Sequence, residues 1–119
     1  MSGESYARKR PMKAETRQQS GNTIVDVSGD VDIGTSPRLR KLLLDSLAGT
    51  PRLVVNFSEV RYIDSSGIAS LVEVLMKARN SQKQLVLYGL NKTVHEVLQL
   101  TRLATIFEIR KTEEEALKV

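Results

Sequence analysis

The chain has 119 residues, 40% of them hydrophobic, and a formal net charge of +4, which fits a single domain with a modest core. Because the chain contains no cysteine, disulfide bonds, thiolate nucleophiles and cysteine-bound metals are excluded. Aromatic residues make up only 4% and tryptophan is absent, so we expect no base-stacking platform and no direct contact with nucleic acid.

The positive charge is concentrated at the amino terminus. Residues 1–17 hold five basic residues against two acidic ones, which is +3 of the total of +4. We predict that residues 1–11 form a disordered basic leader and that residues 12–119 form the folded domain. The first twenty residues lack the apolar run of a signal peptide, and no stretch approaches the roughly 20 apolar residues that cross a bilayer. We therefore expect a cytoplasmic protein without membrane insertion.

The first predicted elements are strands. A weak pattern suggests an edge strand over residues 12–19, and β-branched residues predict a strand over residues 23–29. A turn is predicted to begin at Gly29 and to contain Asp30 and Asp32. Two carboxylates are too few to define a metal site, and turn formation or helix capping explains both of them.

A helix over residues 36–48 is predicted from leucines at helical spacing, with Thr35 or Ser36 as its cap and Pro37 in its first turn. Residues 53–57 form a nearly unbroken apolar run, which is typical of a strand covered on both faces.

The remaining elements continue this alternation. We predict a helix over residues 66–79, a strand over residues 85–88, a helix beginning near Asn91, a strand over residues 106–109, and a short helix capped by Thr112. The order predicts an α/β fold with neighbouring parallel strands joined by right-handed crossovers.

The usual motifs of enzymes are absent. The sequence contains no dinucleotide fingerprint, no Gly-x-x-x-x-Gly-Lys phosphate loop and no Gly-x-Ser-x-Gly elbow. His95 is the only histidine, and its place in a predicted helix favours a surface or half-buried residue over a general base. We expect a protein that is not an enzyme and binds neither a cofactor nor a metal.

Residues 61–68, RYIDSSGI, join a buried strand to an amphipathic helix. Ser65 and Ser66 lie where a helix leaves its first backbone N–H groups without partners. One interpretation is ordinary helix capping by serine or by Asp64, with Gly67 allowing a tight turn. The other is a phosphorylation switch, because a helix amino terminus tolerates the added anion while a docked partner does not.

Residues 56–68, NFSEVRYIDSSGI, resemble the signature of STAS domains, in particular of anti-sigma factor antagonists. Residues 27–32, 85–90 and 98–103 extend the resemblance over most of the chain. It implies the STAS fold, a mixed and mostly parallel sheet of four to five strands with helices packed against it.

The resemblance also implies a function in partner switching. The antagonist binds an anti-sigma factor that is also a serine kinase, is phosphorylated on the first serine after the aspartate, and is reset by a serine phosphatase. That position is Ser65, with Ser66 as the second choice. The implied docking surface consists of Asp30, Asp32, Thr35, Asp64, Ser65, Ser66 and Gly67.

Two other functions remain open from the sequence. Similar domains serve as structural or regulatory subunits of lipid-transport ABC systems, although these often lack the paired serines at positions 65 and 66. A nucleotide-hydrolysing domain is the third alternative, but the phosphate loop that it would need is not visible.

Overall fold

In the computed structural model, residues 10–118 are described, and they form one five-stranded sheet with four helices. The strands are β1 (Lys13–Gln19), β2 (Asn22–Val31), β3 (Arg52–Ile63), β4 (Gln84–Tyr88) and β5 (Glu108–Arg110). The helices are α1 (Ser36–Ala48), α2 (Ser65–Asn80), α3 (Lys92–Leu100) and α4 (Glu113–Leu117).

The sheet follows the order of the chain, β1-β2-β3-β4-β5. The edge strand β1 pairs antiparallel with β2, and every other neighbouring pair is parallel. The predicted mixed, mostly parallel sheet is therefore confirmed, including the weakly patterned edge strand. All the parallel strands end at the same edge of the sheet, which is where the candidate site is built.

The sheet buries apolar side chains on both faces. On one face, residues of β2 and β3 pack with α1, α2 and α3 into the main core, which contains Val55, Phe57, Leu43 and Leu71. On the other face, Ile24, Val54, Val86 and Tyr88 pack against Ala116 of α4. The prediction that β3 is covered on both faces is confirmed, since alternate residues of its apolar run enter the two clusters.

Several predicted boundaries are wrong because pairing between strands extends them. β2 continues through Gly29 to Val31, so Asp30 lies in the strand and not in a turn. β3 runs to Ile63 instead of ending at residue 57, because Val60, Tyr62 and Ile63 still pair with β2 across register shifts. The last strand is Glu108–Arg110 rather than residues 106–109, and Phe107 enters the core from the preceding loop.

Gly29 has a role that the predicted turn did not anticipate. It has a φ of +86°, and a Cβ atom there would lie 2.1 Å from the carbonyl oxygen of Pro11. The backbone at the end of the predicted leader therefore passes directly over this glycine. Residues 1–9 of the predicted leader lie outside the described residues.

Helix capping is confirmed in part. Asn91 and Thr112 cap α3 and α4 through their side chains, and Pro37 occupies the first turn of α1. Thr35 is the N-cap residue of α1, but its side chain makes no capping hydrogen bond. His95 is half-buried on α3, as predicted.

Candidate functional site

The predicted docking surface lies at the carboxyl ends of β2 and β3, the two central parallel strands. Asp30 pairs with Tyr62, Val31 pairs with Ile63, and the backbone amide of Asp64 donates to the carbonyl of Val31 across 3.1 Å. The loop after β2 and the start of α2 are thereby brought side by side. In open α/β sheets this edge is where ligands and partners commonly bind.

Asp64 is the N-cap of α2. Its carboxylate oxygen Oδ1 accepts hydrogen bonds from the backbone amides of Ser66 (2.9 Å) and Gly67 (3.2 Å). These are two of the amides that a helix amino terminus leaves without intrahelical partners. The capping interpretation is therefore confirmed for Asp64, and the two serines that follow it are left for other roles.

The two serines have different environments. Ser66 is half-buried, and its hydroxyl donates a short hydrogen bond to the same Oδ1 atom of Asp64. Ser65 is exposed, and no side chain or backbone group among residues 10–118 forms a hydrogen bond with its hydroxyl. Ser65 is consequently the serine whose oxygen is open to an incoming reagent.

Gly67 is buried in the first turn of α2, where the helix packs against the ends of β2 and β3. A Cβ atom at this position would lie 2.6 Å from Cγ1 of Ile63 and 2.8 Å from Cγ1 of Val31. The expectation that Gly67 permits a tight turn is wrong, because its backbone is helical. The glycine instead allows α2 to pack directly on the strands, which fixes the position of Ser65 and Ser66.

The loop after β2 is held by hydrogen bonds within residues 30–36. The hydroxyl of Thr35 accepts from the amide of Asp32 (2.9 Å) and donates to the carbonyl of Asp30 (3.2 Å). Oδ1 of Asp32 accepts from the amide of Gly34 (2.9 Å), and Asp32 is only 8% exposed. Thr35 thus stabilises the loop rather than capping α1, because its hydroxyl is turned back toward β2.

Two exposed apolar residues flank the predicted docking surface and were missed in the sequence. Ile33 is 78% exposed at the tip of the loop after β2, and Tyr62 is 46% exposed at the end of β3. The available signal was a bulky apolar residue between Asp32 and Gly34, within a segment predicted to be a polar turn. A partner that covers the predicted docking surface would also bury these two side chains, and tyrosine is enriched among the residues that dominate binding energy at interfaces.

The strongest electrostatic cluster lies away from this surface, where α4 meets β1 and β2. Arg17 forms ion pairs with Asp26 and Glu113, and its guanidinium holds the pKa of both carboxyls below their ordinary values. Burial, aided by the hydrogen bond from its hydroxyl to Glu113, raises the pKa of Tyr88 to about 12. These contacts connect α4 to the sheet. None of the four residues belongs to the predicted docking surface.

Within residues 10–118, no group of three or more acidic or histidine side chains is placed to hold a metal ion. None of the helices in that range combines the length and apolar character needed to span a membrane.

Comparison with known proteins identifies relatives over nearly the whole domain. An anti-sigma-B factor antagonist of Listeria monocytogenes is 31% identical over 90 residues, which are 75% of this chain and 79% of the relative. An anti-sigma-B factor antagonist of Staphylococcus aureus is 27% identical over 101 residues, which are 84% of this chain and 94% of the relative.

The fold is also shared with a solved structure. The crystal structure of an anti-sigma factor antagonist from Mycobacterium paratuberculosis matches with a TM-score of 0.82 at 24% identity, covering 90% of this chain and 92% of that one. The family model of the STAS domain matches residues 13–116, from the first strand into the last helix. The resemblance predicted from the sequence is confirmed, and the chain belongs to the STAS domain family.

Proposed function

We propose that this protein is an anti-sigma factor antagonist, which binds an anti-sigma factor and thereby releases a sigma factor for transcription. The relatives from Listeria and Staphylococcus that carry this name support the proposal. The binding surface would be the predicted docking surface, at the ends of β2 and β3, together with Ile33 and Tyr62. In this function the chain binds and releases the anti-sigma factor and catalyses no reaction, so it needs no cofactor. This function places the protein in the cytoplasm, where sigma factors act.

The proposed switch is phosphorylation of Ser65 by the anti-sigma factor itself, acting as a serine kinase. The observation that carries this step is the difference between the two serines. The Ser65 hydroxyl is exposed and without a hydrogen-bond partner among residues 10–118, whereas the Ser66 hydroxyl is held by Asp64. Phosphate on Ser66 would break that bond and bring a second anion against the capping carboxylate. Ser65 can accept a phosphate without either cost.

The same geometry explains how a phosphate would turn binding off without unfolding the domain. At the amino terminus of α2, the helix dipole favours an anion. A phosphate adds about −1.5 to −2 charges next to Asp64, on a surface that already contains Asp30 and Asp32. A partner that covers Ser65 would have to desolvate the phosphate, which opposes docking unless a cation of the partner meets it. A serine phosphatase would restore binding by removing the group.

The first test is mass spectrometry of the protein recovered from its native cells, with peptide mapping of the segment that contains both serines. We expect one phosphate, located on Ser65. The Ser66→Ala variant should still acquire it, and the Ser65→Ala variant should not. A chain that carries no phosphate under any growth condition would contradict the switch and would favour the transport-associated alternative.

The second test is binding to a kinase-type anti-sigma factor encoded in the same genome, measured by calorimetry. The unmodified protein should bind, and the protein phosphorylated on Ser65 should bind at least tenfold more weakly. Ser65→Ala should bind like the unmodified protein and should keep its affinity after treatment with the kinase and ATP. Equal affinity of the phosphorylated and unmodified proteins would contradict the proposal.

A further inference from the structure

The helices that follow the parallel strands lie on two sides of the sheet. Helix α1 follows β2, α2 follows β3 and α3 follows β4, and all three pack into the main core on one face. Helix α4 follows β5 and packs on the other face. Among the described strands, the chain therefore changes side once, between β4 and β5. In open α/β sheets, ligands bind in the crevice outside the carboxyl ends of the strands at such a switch point.

A groove of about 920 Å³ lies at this switch point, and we call it the β4–β5 groove. It is bordered by Gly89 and Leu90, which follow β4, by His95 of α3, and by residues of the segment 104–111, which contains β5. Its volume is in the range of small-molecule sites, about 300–1,000 Å³. None of the residues that line it belongs to the predicted docking surface, so a ligand here and a partner there would not compete for a side chain.

Part of the groove is apolar and rigidly held. Phe107 is 6% exposed and enters the main core, and Leu90, Ala104 and Ile109 are half-buried against the same core. Because core packing already fixes these side chains, the hydrocarbon part of a ligand could be buried against them without rearrangement of the domain.

The rest of the groove offers polar groups that the fold does not use. The side chains of His95, Thr105 and Lys111 line the groove and form no hydrogen bond or ion pair with any group among residues 10–118. Ammonium, hydroxyl and imidazole groups can each donate a hydrogen bond. A ligand with acceptor oxygens would therefore meet donors that are not already engaged.

The charges at the groove favour an anion. Arg110 and Lys111 line it as exposed cations, and the carboxylate of Glu108 is shared by Arg110 (2.8 Å) and the buried Arg52 (3.8 Å). The other acidic group in contact is Glu115, whose carboxylate accepts from the backbone amide of Lys111 (3.2 Å). Three cations thus stand against two carboxylates, and the surplus charge is positive.

We propose that the β4–β5 groove binds a small organic anion. Its carboxylate or phosphate would lie at Arg110 and Lys111, and its hydrocarbon part would pack against Leu90, Ala104 and Phe107. This inference depends neither on the phosphorylation of Ser65 nor on the anti-sigma factor, so it can be tested with the isolated protein.

The test is an NMR titration of the full-length, ¹⁵N-labelled protein with phenyl phosphate and with 3-phenylpropionate, which carry the two head groups on a phenyl ring. We expect saturable shifts of the amide signals of Leu90, Thr105 and Ile109, with a dissociation constant of about 1 mM or less. The probe that binds more tightly identifies the head group. Inorganic phosphate lacks the hydrocarbon part and benzyl alcohol lacks the charge, so each should bind at least tenfold more weakly.

The double variant Arg110→Gln/Lys111→Gln should bind both probes at least tenfold more weakly at an unchanged melting temperature, because both side chains are exposed. The matched control is Lys13→Gln/Lys77→Gln, which removes the same charge from β1, at the opposite edge of the sheet, and from the last turn of α2. Its affinity should stay within about twofold of the unsubstituted protein.

Four results would each overturn the inference. They are the absence of saturable shifts at the groove, shifts confined to another surface, binding of inorganic phosphate as tight as that of phenyl phosphate, and equal affinities of the two double variants. None of them would bear on the proposed partner switching, which the calorimetry above decides separately.

Discussion

The hydroxyl of Ser66 donates to Oδ1 of Asp64, the same carboxylate oxygen that accepts hydrogen bonds from the backbone amides of Ser66 and Gly67 at the start of helix α2. One oxygen atom thus begins the helix and also engages one of the two adjacent serines. The other serine, Ser65, is left exposed at the surface. In this way the capping residue determines which hydroxyl is available, and the first prediction concerns that cap.

Replacing Asp64 with alanine should destabilise the domain by about 1–2 kcal/mol, because the substitution leaves the capped amides and the Ser66 hydroxyl without their acceptor. The measurement is urea unfolding at neutral pH. Asp64→Asn is the matched control, since its side-chain oxygen can still accept from the amides, and it should lose less than half as much stability. If the alanine and asparagine variants were equally stable, Asp64 would not act as a cap.

The order of the helices and strands could be predicted from the sequence because it depends on local patterns of residues. Alternating β-branched residues predicted β2, and leucines at helical spacing predicted α1. The strand ends at Val31 and Ile63 could not be placed in the same way. They depend on pairing between β2 and β3, whose register shifts have no signature in either segment alone.

The segment that contains the candidate site could be predicted from the sequence, but the roles of its individual residues could not. The motif at residues 64–67 indicated a helix start with two serines, which the structure confirms. The choice between Ser65 and Ser66 depends on which hydroxyl faces Asp64, and the role of Gly67 depends on how closely β2 and β3 approach α2. The contact of Arg10 with Asp30 joins residues 20 apart and was not foreseen.

Gly67→Ala should be destabilising by about 1–3 kcal/mol, because the added methyl group would lie within 3 Å of Ile63 and Val31 in a packed region. The expected sign is the reverse of what helix propensity alone predicts, since alanine is normally the better helix former. Gly49→Ala is the control, because a Cβ at position 49 would lie 3.9 Å from the carbonyl oxygen of Ser46, an ordinary van der Waals distance. A Gly67→Ala protein with unchanged or higher stability would show that α2 packs less tightly on the strands.

Ile33→Asp should weaken binding of the anti-sigma factor at least tenfold while leaving the melting temperature unchanged. The side chain is 78% exposed, so its replacement removes little packing within the domain but removes an apolar contact for the partner. Leu100→Asp is the matched control, because Leu100 is 83% exposed at the opposite end of α3 from the site. Equal losses of affinity in both variants would indicate a general charge effect and not a contact at Ile33.

The attachment of α4 to the sheet should depend on pH through Arg17 and its two carboxylate partners. Hydrogen bonds from Arg17 lower the pKa of Asp26 from its ordinary value of 3.8 and that of Glu113 from 4.5. Because both pKa values are lowered on folding, the ion pairs stabilise the folded state above these ordinary values. That contribution is lost as the pH falls below about 4.5 and through the lower pKa values of the folded protein.

Glu113→Gln should therefore lower the free energy of unfolding at pH 7 by about 1 kcal/mol or less, since the Arg17 and Glu113 side chains are 37% and 33% exposed and solvent screens the pair. The difference from the unsubstituted protein should shrink as the pH falls below about 4.5, because Glu113 then becomes protonated first in the unfolded chain and, at lower pH, in the folded chain. Glu114→Gln is the control from the same helical turn, because Glu114 is exposed and forms no ion pair within residues 10–118. Urea unfolding of the three proteins at pH 7 and at pH 3 makes the comparison. A constant difference between Glu113→Gln and the unsubstituted protein at both pH values would mean that the ion pair with Arg17 contributes nothing, and that the glutamate acts only as a hydrogen-bond acceptor for Tyr88.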